Sequence, residues 1–244
     1  MAEQELESMQ GIRNQIKQLF DAGCEMKKQG NQIEALKKFD ETQQLIKQEY
    51  GEGATEQLAA VYNEIAIVCN VLSMAHLQKE DYKLCQELLK KAELFTEGND
   101  RMKAITYNNF ACLFRKTNKL RNALQYLEMA LALEYQCLNN AEDEVSTSLK
   151  ISNPCEIHLN ICAILSQLGK HELALHHAMK ALILIQDELL EITSSEGESV
   201  ESRQTVMIIA LHNIAVEYEY LKQYQSALLT YQKARDFAFK FLGP

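Results

Sequence analysis

The chain is short of the residues that interrupt helices. Its 244 residues include nine glycines, no tryptophan and two prolines, Pro154 and Pro244. Proline removes a backbone donor and clashes with the preceding turn, and glycine weakens a helix interior through backbone entropy. Basic charge is short as well: 25 Lys and Arg face 34 Asp and Glu, a formal net charge of -9. Binding to a phosphate backbone draws on Lys and Arg, so no nucleic-acid partner is expected, whereas a neutral or basic protein partner is compatible. No apolar run approaches the ~18 residues of a membrane span. The opening Met-Ala-Glu-Gln-Glu-Leu-Glu lacks the basic start and apolar stretch of a signal peptide. These absences predict a soluble, cytoplasmic protein with no membrane insertion.

Catalytic signatures are missing too. There is no GxGxxG, P-loop or nucleophile elbow. Six histidines, His76, His158, His171, His176, His177 and His212, have no Cys or carboxylate at recognised metal spacing. His76 and His158 fall on apolar positions and read as packed core residues. The seven cysteines, Cys24, Cys69, Cys85, Cys112, Cys137, Cys155 and Cys162, are odd in number and contain no CxxC pair. Most occupy apolar positions of helical patterns, where Cys acts as a small hydrophobe, and a reduced compartment is the simplest reading. No catalytic residue, metal ligand or cofactor emerges, and the chain is not expected to be an enzyme.

What the chain has is helix formers, Leu, Ala, Glu, Lys and Gln, arranged in a repeat. A small residue stands 12 positions before another small residue five times: Gly23 before Ala35, Ser73 before Cys85, Ala111 before Ala123, Cys162 before Ala174 and Ala215 before Ala227. Nine before each anchor come Met26, His76, Phe114, Leu165 and Tyr218, and seven after it come Thr42, Ala92, Ala130, Ala181 and Ala234. Such self-similarity indicates an array of stacked units, each burying its apolar stripe on a neighbour. The expected pairs are residues 4–50, 55–96, 101–139, 154–191 and 202–242, forming one domain over 1–244. Polar connectors lie at 139–152 and 193–199. Asn153-Pro154 supplies an N-cap and a first-turn proline for the fourth pair. Ser194, Ser195 and Ser199 lie among acidic residues, a pattern open to an acid-directed kinase or to a plain solvated connector.

These residues resemble the tetratricopeptide repeat. The signature is specific in Tyr107-Asn108-Asn109-Phe110-Ala111 with Asn122-Ala123-Leu124, in Asn160-Ile161-Cys162 with Leu168-Gly169-Lys170 and Ala174-Leu175, and in Asn213-Ile214-Ala215 with Tyr218 and Ala227-Leu228. It is fair in the first repeat and weak in the second. The anchors are 50, 38, 51 and 53 residues apart, against ~34 for the family, and the family's closing proline is missing from every repeat. The resemblance implies an all-α, right-handed solenoid of about five helix pairs whose first helices line a concave groove.

Fourteen residues before the anchors stand Asp21, Val71, Asn109, Asn160 and Asn213. The resemblance, which is to kinesin light chain type adaptors in particular, places this register on the groove. An Asn amide offers an acceptor and two donors and can pair with the main chain of a bound peptide; the alternative is that these asparagines bond to neighbouring helices and shape the superhelix. Asn108, Arg115, Lys116, Gln167 and Tyr220 are further groove candidates, beside Glu156, Ala163, His212 and Val216. The carboxylate clamp of co-chaperone members is not matched, because Phe20 and Cys24 stand at its first-repeat positions and Glu156 where a cation is needed. Phe237, Phe239, Phe241 and Leu242 on the last helix predict contact with another chain, or a piece of a longer array. The expectation is a non-catalytic adaptor holding a peptide or partner helix. The alternative is a structural subunit of a large cytoskeletal or ciliary assembly.

Overall fold

A computed structural model of the chain describes residues 2–51, 53–140, 154–191 and 197–243. All regular structure among them is α-helical. The helices are α1 (Ala2–Lys28), α2 (Gln32–Tyr50), α3 (Thr55–Gln78), α4 (Tyr82–Leu94), α5 (Asp100–Lys116), α6 (Leu120–Asn140), α7 (Pro154–Gln167), α8 (His171–Glu191), α9 (Gly197–Tyr220) and α10 (Tyr224–Leu242). They form two compact units, Met1–Leu113 and Phe114–Pro244. Ser194 and Ser195 lie outside the described residues. Ser199 falls inside α9, which starts about a turn earlier than the sequence suggests.

The five anchors organise the backbone as well as the packing. Ala35, Cys85, Ala123, Ala174 and Ala227 are all buried, as are their partners 12 residues upstream and seven downstream. Five residues before each anchor the chain takes a left-handed conformation: Gly30, Glu80, Asn118, Gly169 and Lys222 have φ of 80, 61, 57, 70 and 60°. The next residue donates its N–H back to the carbonyl nine before the anchor. These bonds are Asn31 to Met26, Asp81 to His76, Lys119 to Phe114, Lys170 to Leu165 and Gln223 to Tyr218, at 2.8–3.0 Å. Together they form a Schellman closure, which satisfies carbonyls that a helix end leaves without partners. The same residue's carbonyl accepts the anchor's N–H and opens the next helix. Asn31 and Asp81 also cap that helix through their side chains, accepting from the N–H of Glu34 and Leu84.

In the first unit α1, α2, α3 and α4 share one core of Phe39, Ile46, Leu58, Val61, Ile65, Val68 and Leu88, with Ile16, Phe20 and Met26 packed against it. A Cβ added at Gly23 would stand 2.7 Å from the Phe39 ring, so the small residue in α1 makes room for that ring rather than for Ala35 itself. Lys27 of α1 pairs with Glu64 of α3, and Lys91 of α4 pairs with both carboxylate oxygens of Asp40 in α2. The expectation that nothing here approaches a membrane span needs correction. By length and composition α3 is apolar enough to cross a membrane, because its few polar residues are uncharged apart from Glu56 and Glu64. Leu58, Val61, Ile65, Val68, Cys69 and Leu77 of that helix are buried within the unit, as expected of a helix that packs on several sides.

In the second unit α7 packs on α8, α8 on α9, α9 on α10, and α6 on α7. Cys155, Leu159, Ala181, Ile185 and Ala210 form one core, with Leu182, Leu184, Val206 and Met207 against it. The first helices of consecutive pairs, α7 and α9, also touch directly.

Candidate functional site

α7 and α9, which are in contact, each carry a stripe of residues that the core leaves uncovered. On α7 they are Glu156, Asn160, Ala163 and Gln167, and on α9 Ile209, Asn213, Val216 and Tyr220. Both follow the i, i+4, i+7, i+11 spacing of one helix face. Asn160 and Asn213 are half-buried, while Gln167, Ile209 and Tyr220 are exposed. The face thus combines amides with small or branched apolar groups.

Its ends are held in place. Arg203 of α9 lies 3.4 Å from Glu156 of α7 and 3.6 Å from Glu188 of α8. At the other end Tyr220 stacks on His171, with ring centroids 4.2 Å apart and planes 9° apart. His171 Nδ1 lies 2.8 Å from the carboxylate of Glu217, which is only 2% exposed. Sequence reasoning overlooked Glu217, although the signal was there: it occupies the register of Leu113 and Ile164 in the preceding repeats. A carboxylate at a core register implies a buried partner.

The other asparagine, Asn109, belongs to the first unit and is placed differently. It is buried, and its amide nitrogen donates to Asn70 Oδ1 at 2.8 Å. Asn70 in turn donates to Thr106 Oγ1 and to the Ala66 carbonyl, both at 2.9 Å. This amide seam ties α3 to α5, the helix-bonding alternative for an asparagine at this register. Asn70 stands one residue before Val71, where the count of 14 found no asparagine, and that adjacent amide was the missed signal. Asn108 and Arg115 are half-buried and Lys116 is exposed.

Two histidines that looked separate in sequence meet in the second unit. The Nδ1 atoms of His158 and His177 are 2.8 Å apart, and Tyr135 Oη is 3.1 Å from His158 Nε2. His158 is 1% exposed, the packed core position that its register suggested. Burial pushes both imidazoles down to about 4, helped for each by the Lys180 and His176 charges. One ring therefore donates its Nδ1–H to the other, and both are neutral at pH 7. Burial also pushes the thiols of Cys69, Cys155 and Cys162 up to about 12 and that of Cys85 to about 11. At neutral pH these four are thiols rather than nucleophilic thiolates.

The fold is that of a tetratricopeptide-repeat-like all-α solenoid. The chain is similar to the crystal structure of BtubC (BKLC) from P. vanneervenii, with a TM-score of 0.61 at 15% identity over 96% of this chain and 83% of that one. It also matches MamA, with a TM-score of 0.51 at 15% identity over 92% of each chain. A third match is to the TPR-like repeats of a putative kinesin light chain from Podosopora anserina, with a TM-score of 0.53 at 13% identity over 93% of this chain and 95% of that one. At such identities the likeness is one of fold. No family model and no curated protein sequence matches the chain.

Proposed function

We propose that the protein is a non-catalytic interaction scaffold that holds an extended peptide or helix of a partner protein on first-helix faces such as that of α7 and α9. The observation that carries this reading is that two touching first helices each present an uncovered stripe with an asparagine, Asn160 and Asn213, at the same repeat register. Asn213 makes no side-chain hydrogen bond among the described residues, so its amide is available to a peptide main chain. The Tyr220 ring, fixed by His171 and Glu217, offers a rigid aromatic edge at low entropic cost. A reduced, cytoplasmic setting is part of the proposal, in keeping with seven free thiols.

Alanine at Asn213, alone and with Asn160→Ala, provides the test. Binding of the partner recovered by affinity capture should weaken about fivefold or more, with the melting temperature nearly unchanged. Asn109→Ala should behave in the opposite way, losing roughly 1–3 kcal/mol of stability because Asn70 is left without its buried donor. Equal losses of stability and binding at Asn213 would reject the groove.

A second reading, a structural subunit with both faces covered, is favoured by α10. Tyr224, Leu228, Leu229 and Phe239 of that helix are 57–63% exposed, and such apolar exposure on one helix marks contact surfaces.

A further inference from the structure

In a chain of net charge -9, residues 114–127 carry Arg115, Lys116, Lys119 and Arg121 and no acid. The first turn of α6 holds no carboxylate, although its positive dipole end would favour one. Lys27, Lys91 and Arg203 are each matched to a carboxylate on another helix. Among the described residues Arg115, Lys116, Arg121 and Lys170 form no ion pair. Lys119 lies over the Phe114 ring at 6.0 Å, and that ring packs on Tyr126.

Two of these cations line a cleft. The α7–α8 turn and the first two turns of α6 frame an open cleft of about 250 Å³, lined by Arg121, Leu124, Gln125 and Glu128 on one side and Leu168 and Lys170 on the other. Arg121 and Lys170 are both exposed. Leu124 and Leu168 supply apolar wall between them, and Glu128 lies two turns along α6 from Arg121.

We infer that this cleft docks an acidic segment of a partner protein, with Asp or Glu side chains on Arg121 and Lys170 and an apolar side chain against Leu124 and Leu168. Charge complementarity carries the inference: an unmatched cationic cluster in an acidic chain is completed by carboxylates, which a guanidinium can grip in bidentate fashion. This site is separate from the α7–α9 face and stands or falls without it.

The test is fluorescence anisotropy of the full chain with a labelled peptide, Glu-Asp-Leu-Glu-Asp-Leu, at low salt. The expected result is saturable binding that weakens as salt rises. It should fall about tenfold in the double variant Arg121→Glu, Lys170→Glu, stay within about twofold in Lys83→Glu, which reverses an exposed cation of α4, and be absent for the matching Lys-Ser-Leu peptide. The inference is overturned if the double variant, with its melting temperature intact, binds the acidic peptide as well as the parent does, or if no saturable binding occurs. It is equally overturned if a single-stranded oligonucleotide or a phosphatidylserine vesicle binds more tightly and loses that binding in the same variant.

Discussion

Five backbone positions have positive φ for one reason, closure of a helix pair, yet they carry four residue types. Gly30 and Gly169 meet no Cβ penalty, and Asn118 tolerates the left-handed region. Glu80 and Lys222, at φ of 61 and 60°, carry a full side chain there. Left-handed backbone costs such residues about 1–2 kcal/mol, partly offset because glycine is more flexible when unfolded. Glu80→Gly and Lys222→Gly are therefore each expected to raise unfolding stability by about 0.5–1 kcal/mol, measured by urea denaturation with an unchanged slope. The turns themselves were legible at Gly30-Asn31, Lys79-Glu80-Asp81, Asn118 and Gly169-Lys170. The requirement at Glu80 and Lys222 was hidden because neither residue announces a left-handed turn.

At the scale of the element, α6, α7 and α8 meet at Tyr135, His158 and His177, with His176 and Lys180 of α8 nearby. The two imidazoles are held at about 4, against 6.5 for an ordinary histidine. Well above pH 6.5 both folded and unfolded chains carry them neutral, and the pairing contributes fully. As pH falls from 6.5 towards 4 the unfolded chain takes up protons that the native pair refuses, so stability drops; below about 4 the native pair is protonated too and the drop ends. The melting temperature should fall between pH 6.5 and 4.5, and His177→Gln, which removes one titrating group, should make that fall shallower. A parallel decline in the variant would show that other groups govern the acid limb. Register gave His158 as a core residue, but only the packing of α7 on α8 reveals His177 as its partner. In the same way α3 reads as an interrupted apolar segment, and its burial depends on the helices around it.

For the molecule as a whole, the apolar side chains left on α10 matter most. Leu228, Leu229 and Phe239 are each more than half exposed, and the ring of half-buried Phe237 lies 4.4 Å from that of Phe241 on the same helix. If α10 meets another chain, the purified protein should bind a hydrophobic dye and show a sedimentation coefficient that rises with concentration. Leu228→Ser with Phe239→Ser should reduce both while leaving the melting temperature within a few degrees, because neither side chain is buried. A concentration-independent monomer without dye binding would count against the contact.

The spacing of small residues by itself determined the helix pairs, their turns and the buried anchors. Those features follow from backbone closure and from steric limits that act within about 30 residues of chain. The fates of the three asparagines were decided only by the tertiary structure. All three share one register, yet Asn109 turns to Asn70 in the neighbouring helix and is buried, while Asn160 and Asn213 stand on a partly open face. The difference is physical: sequence period fixes which face of a helix a residue occupies, but hydrogen bonding and burial depend on what the next helix places opposite it.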